Sequence, residues 1–183
     1  MRKKLFALAA LALAACDGGV PPPGQEPLRA SSPDNASDEV QLRTDGLAAG
    51  VERFYFAAGR NEVDGALTRV IGEPFATASN DECGAGALEM TRFRGGLMVN
   101  YERGYLVGWI FERDERGSSP SISVAGDVQL GAALAEAEAV DGFKLIENST
   151  LGTEFTLGDK MGGLVGEDGK VSALYSGKQC FFR

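Results

Sequence analysis

Three thiols and a surplus of carboxylates hold most of the reactive chemistry in this 183-residue chain, which contains no histidine. The commonest general base is therefore missing, and a Ser-His-Asp or Cys-His nucleophilic arrangement is excluded. No G-x-S-x-G and no S-x-x-K occurs, and no glycine cluster is followed by the Lys-Ser/Thr of a phosphate loop. Acidic neighbours are present as Asp81/Glu82, Asp114/Glu115, Glu136/Glu138 and Glu167/Asp168. Glycosidase chemistry needs two carboxylates held across a cleft, which adjacency in sequence does not supply, so these pairs read as solvated turns and helix faces. Asp159 or the Glu167-Asp168-Gly169 turn could offer oxygen ligands to calcium, but no EF-hand spacing accompanies them. Two cysteines beyond Cys16 and no imidazole do not complete a zinc set. The expectation is a chain that is not an enzyme, with no metal and no cofactor.

Cys16 stands in a distinctive setting. Arg2, Lys3 and Lys4 precede an apolar run from Leu5 to Ala15, which ends in Leu13-Ala14-Ala15-Cys16. A basic head, a short apolar core and small residues at a cleavage point make a secretory signal, too short to span a bilayer stably. The last four residues resemble the lipobox of bacterial lipoproteins. The resemblance implies removal of residues 1–15, diacylation of the Cys16 thiol and acylation of the new amino terminus. More than one acyl chain makes anchoring effectively permanent. Asp17 resembles the inner-membrane retention signal of enteric lipoproteins, so the implied address is the periplasmic face of a cell membrane, weighted toward the inner one, with the outer one open. An exported chain meets an oxidising compartment, where Cys83 and Cys180 are expected to form a disulfide.

Whole-chain charge is 18 − 26 = −8. Loss of Arg2, Lys3 and Lys4 takes it to 15 − 26 = −11. That sign does not suit a nucleic-acid partner and is repelled by anionic headgroups, so membrane attachment falls to the acyl chains.

Residues 16–43 read as a tether. Pro21, Pro22, Pro23, Pro27 and Pro33 lie there among Ser31, Ser32, Asn35, Ser37 and Asp38. Such composition buries too little to offset chain ordering, and it would reach roughly 80 Å fully extended or about 30 Å as coil. The folded domain is expected over 44–183, with possible halves at 44–115 and 121–183. Val51 to Ala57 reads as a strand. Asn61, Val63, Leu67, Val70 and Ile71 have the cap and spacing of a helix stopped by Gly72-Glu73-Pro74. Ala76 to Gly86 reads as a loop. Ala87–Phe93, Leu97–Tyr101 and Tyr105–Phe111 read as a meander with short glycine turns. A second helix is expected over Val128–Val140. Strand pieces follow at Phe143–Ile146, Glu154–Leu157, Leu164–Val165, Val171–Tyr175 and Cys180–Phe182.

A shift of 67 residues aligns Ala66-Leu67 with Ala133-Leu134 and Gly95-Gly96-Leu97 with Gly162-Gly163-Leu164. Each half thus reads as a helix followed by a meander, a tandem repeat. Over residues 50–183 this order is similar to the β-lactamase-inhibitory-protein fold and to the BamE/SmpA-type lipoproteins of outer-membrane assembly. The resemblance implies an α+β domain with helices packed on one face of an antiparallel sheet and the other face open. A Cys83–Cys180 bridge would join the halves, whereas inhibitors of that fold carry bridges within each half, so no binding residue transfers.

Tyr105, Val107, Trp109 and Phe111 alternate with Leu106, Gly108 and Ile110, so both faces of that strand are apolar. Such a strand is either central and covered on both sides, or exposed as an aromatic binding surface that Tyr101, Phe54 and Tyr55 could extend. The leading functional expectation is a lipid-anchored envelope protein that binds a protein partner through Tyr101, Tyr105, Trp109 and Phe111. A binder of a small ligand or cell-wall fragment is the alternative, and an Asp/Glu-dependent hydrolase a third.

Overall fold

The computed structural model describes residues 38–114 and 121–181. Cys16, the signal segment, nearly all of the tether, Glu115 and Phe182 lie outside the described residues.

The fold is already under way at Val40, inside the stretch that composition assigns to the tether. Val40–Arg43 (β1), Gly46–Ala49 (β2) and Glu52–Tyr55 (β3) form an antiparallel meander, with Leu42 opposite Leu47 and Leu47 opposite Phe54. Val40, Leu42, Leu47 and Phe54 are buried while Gln41 is exposed, the alternation of a half-buried strand. Ile122–Val124 (β8) joins β1 in parallel and completes a four-stranded sheet.

Between β3 and β8 runs the helix Arg60–Ile71 (α1), which buries Val63, Ala66 and Leu67 and ends where Gly72 takes φ +89° and donates its N–H to Thr68 O. Ala76–Asn80 (β4), Leu88–Arg92 (β5), Leu97–Glu102 (β6) and Tyr105–Glu112 (β7) follow as a meander. After β8 comes the short helix Leu134–Glu138 (α2), then Phe143–Ile146 (β9), Thr153–Leu157 (β10), Met161–Val165 (β11) and Val171–Gly177 (β12). The eight strands form one antiparallel sheet, β4-β5-β6-β7-β12-β11-β10-β9, with the two meanders joined at β7–β12.

This architecture corrects the expected fold class. The described residues form twelve strands and only two helices, of 12 and 5 residues. The layer over the large sheet is chiefly β1, β2 and β3 rather than a row of helices, and the core runs from Leu42, Leu47 and Phe54 to Val99, Trp109, Phe155 and Leu174. Three apolar-alternating strands cover a wide sheet more fully than a single amphipathic stripe does. α2 is short for a local reason. Gly131 sits at φ +83°, and Gln129 donates its side-chain amide to Val124 O and Gly126 O, so the chain bends where periodicity would continue a helix. Gly162 and Gly163 lie within β11 rather than in a turn. A Cβ on Gly162 would strike the Tyr175 ring, and one on Gly163 the Phe155 ring. These glycines make room for aromatic rings lying flat across the sheet.

Candidate functional site

Trp109, Tyr101 and Phe111 are buried, and only Tyr105 of the expected surface is exposed, at 56%. β7 is the central strand of the covered alternative. Asn100 pairs with Gly108 and Tyr101 with Leu106, so Val107 has no cross-strand partner and forms a bulge. The extra residue returns Leu106 to the face of Trp109 and Phe111, opposite Tyr101, Val99 and Leu97. It turns Tyr105 away from them, so simple alternation mis-assigns both residues. Burying a side chain as large as Trp109 or Phe111 stabilises by roughly 1.5–3 kcal/mol each. Tyr101, Trp109 and Phe111 are core and present no surface to a protein partner, and of the four expected residues Tyr105 alone stands at the surface.

Tyr101 belongs to a polar cluster under α1. Its hydroxyl donates to Asp64 Oδ1 at 2.5 Å, Thr91 Oγ1 donates to Asp64 Oδ2 at 3.3 Å, and Arg60 donates to Asp64 at 3.2 Å and to Thr91 at 3.1 Å. The Arg60 guanidinium also stands 5.2 Å from the Tyr101 ring centre. Burial, then the Asp64 carboxylate, pushes the phenol far above its ordinary value. The proton stays on Tyr101, which suits it to fixing α1 on β6.

The C-terminal tail crosses the middle of the large sheet's second face. After Gly177 at φ +73° the chain turns back over β6 and β7. Asn100 Nδ2 donates to Lys178 O at 2.9 Å and to Gln179 Oε1 at 2.8 Å, and Gln179 Nε2 donates to Trp109 O at 2.9 Å. Gly108 accommodates this crossing, because a Cβ there would meet the Lys178 backbone. At the tail's end Cys83 and Cys180 are free thiols that approach to 2.5 Å without the expected disulfide bond, and Phe181 packs edge-on against Tyr175 with centroids 4.9 Å apart. Burial, then the neighbouring Cys83, pushes the Cys180 thiol up to about 11. Cys180 thus ends a coil crossing rather than the strand expected at Cys180–Phe182.

Beyond the edge of that crossing opens a cleft of about 650 Å³. One lip is the β1–β2 turn, Thr44 and Asp45, with Tyr55 and Phe56 leaving β3. The other lip is the β10–β11 turn, Asp159 and Lys160, with Met161 behind it. Buried donors hold both lips. Ser176 Oγ lies 3.1 Å from Thr44 O and 2.7 Å from Lys160 O, while Trp109 Nε1 donates to Arg43 O at 2.8 Å. Trp109 therefore braces the cleft from behind instead of lining it. Arg43 donates to Asp45 at 3.1 Å, and that hydrogen bond holds the Asp45 carboxyl below its ordinary value. The cleft combines aromatic and thioether surface with two carboxylates and one ammonium.

The acidic pairs go separate ways. Asp168 accepts from Arg113 at 2.8 Å, and Glu136 accepts the Ala133 N–H at 2.9 Å at the start of α2. Among the described residues no group of three or more Cys, Asp or Glu could hold a metal ion. Glu154, unmarked by any sequence motif, is fully buried and accepts from Ser149 and Tyr175 hydroxyls at 2.5 Å each. A lone glutamate in an apolar-alternating strand opposite a glycine-rich strand was the available signal.

No family model matches the sequence, and no curated protein matches it. Among solved structures the chain is similar to a cysteine-rich secretory protein from Staphylococcus aureus subsp. aureus Mu50, with a TM-score of 0.42 and 11% identity over 75% of this chain. The match covers 50% of that protein, so the chain spans half the length of the structure it resembles. Likeness at that level assigns neither fold family nor activity.

Proposed function

We propose that this protein is a lipid-anchored, extracytoplasmic binding domain that performs no chemistry of its own and captures a small ligand or cell-wall fragment in the cleft between its two sheets. The Leu13-Ala14-Ala15-Cys16 segment supports the address. The observation that carries the binding role is the cleft itself. About 650 Å³ falls in the range of small-molecule sites, and the walls are mostly apolar with a few convergent polar groups. Its lips are held by hydrogen bonds from buried Ser176 and Trp109, so little ordering is left for a ligand to impose. Tyr55, 55% exposed at the rim, offers a flat ring to a sugar or planar group. Cys83 and Cys180, joined as a disulfide after export, would close the tail over the opposite face.

Titration of the isotope-labelled full chain in detergent with a soluble disaccharide-peptide wall fragment tests the reading by amide NMR. Expected are shifts concentrated at Thr44, Asp45, Tyr55, Lys160 and Met161, and at least fivefold weaker binding in Tyr55→Ala. Absence of shifts at millimolar fragment, or shifts confined to other surfaces, removes the wall fragment as the cleft's ligand.

A further inference from the structure

Sheet edges expose unpaired backbone donors and acceptors, and proteins ordinarily guard them with charge, shortness or proline. Three of the four edges among the described residues are guarded in this way. β3 carries Glu52 and Arg53, β9 carries Lys144, and β8 is three residues long. β4 is not guarded. Its sequence is Ala76-Thr77-Ala78-Ser79-Asn80, with neither charge nor proline, and its first four residues are exposed. Phe75, 55% exposed, stands at its start.

We propose that β4 is a self-pairing seam, through which a second copy of this chain adds its own β4 antiparallel about a two-fold axis at Ala78. Charge around the edge favours that occupant. Arg92, opposite Ala76 on β5, and Arg94 lie at one end of β4, while Asp81 and Glu82 follow Asn80 at the other; all four are exposed. Antiparallel self-pairing sets the basic end of each copy against the acidic end of its mate, twice by symmetry. Small side chains along β4 put no bulk between the two sheets. Asn80 Oδ1 accepts the Glu82 N–H at 2.9 Å and its Nδ2 donates to Cys180 Sγ at 3.3 Å, so the strand ends where the C-terminal tail meets it. A five-residue seam is small for a tight dimer in free solution, so it belongs to copies concentrated on one membrane. In that respect the seam rests on the anchored reading.

Disulfide cross-linking of the full chain carrying Ala78→Cys, in membranes and with dioxygen as oxidant, tests the seam. Residues facing each other across an antiparallel pair are close enough to bridge. A covalent dimer of twice the chain mass is expected, at least tenfold more abundant than from Leu145→Cys on the opposite sheet edge. Adding Arg92→Glu should lower the yield at least fivefold, and adding Glu82→Arg to that variant should restore it. A chain that fractionates with membranes yet stays monomeric overturns the seam and leaves the anchor standing. An adduct with a different polypeptide, or a yield indifferent to the charge reversals, overturns self-pairing equally.

Discussion

Trp109 shows how residue type can point to a site without naming the role. A lone tryptophan in an aromatic strand invited a reading as a contact residue, yet its indole sits at 0% exposure and spends its N–H on Arg43 O. Trp109→Phe keeps an aromatic ring but removes the donor and part of the ring volume, so Arg43 O loses this bond and a small cavity opens. The expected cost is about 1–3 kcal/mol in urea unfolding, with fragment binding weakened as the β1–β2 turn loosens. Asp168 gives a second test. Its hydrogen bond from Arg113 lowers the folded-state pKa, so the unfolded chain binds the proton first as pH falls. The contribution is therefore full above the unfolded value, about 4, and disappears as pH drops through the lowered folded value. Arg113→Gln should lower stability slightly above pH 4 and flatten the acid limb below it, so that the variant and parent curves meet once Asp168 is protonated in both states. Lys160 and Asp45, by contrast, carried no sequence signal. They are turn residues, and only the meeting of two turns distant in sequence makes them neighbours across a cleft.

Legibility at the scale of elements follows length and pattern. β5, β6, β7, β9, β10 and β12 were readable because β-branched and aromatic residues alternate there between glycine turns, and α1 because four apolar residues recur at helical spacing. β4 was hidden by small polar residues that look like loop, and β1 by proline- and serine-rich flanks. β8, at three residues, has too little pattern to register at all. The helix-on-sheet expectation failed at this level, since unread β1 and β2 take the place assigned to helices. The tail crossing was also invisible, because its pairing runs through side chains of Asn100 and Gln179 rather than a strand ladder. It supplies the element's own prediction. With Cys83 and Cys180 bridged, a loop of nearly a hundred residues is closed, worth roughly 4–5 kcal/mol on the chain-entropy view. Cys180→Ser, or reductant added to the parent, should lower unfolding stability by about 2–5 kcal/mol and raise hydrogen exchange along β6 and β7. Equal stability with and without reductant would show that the two sulfurs stay apart.

At the scale of the whole molecule, the proposed acyl anchor and the acidic body would pull in opposite directions at a membrane surface. The balance of 15 − 26 = −11 that the proposed cleavage would leave opposes approach to anionic lipid, and that opposition weakens as salt rises. Acyl chains add about 0.8 kcal/mol per buried methylene, a term that salt does not screen. A protein held by charge leaves the membrane in high salt, whereas a protein held by acyl chains on Cys16 stays. Full chain expressed in a bacterial host should remain in the membrane fraction from low to 1 M salt and incorporate a palmitate analogue. Cys16→Ser should abolish labelling and move most of the protein to the soluble fraction, with the same unfolding midpoint. Release of the parent chain by salt, or membrane retention of an unlabelled Cys16→Ser chain, would place the attachment elsewhere on the protein. The cleft and the β4 edge would then need a different surface on which to work.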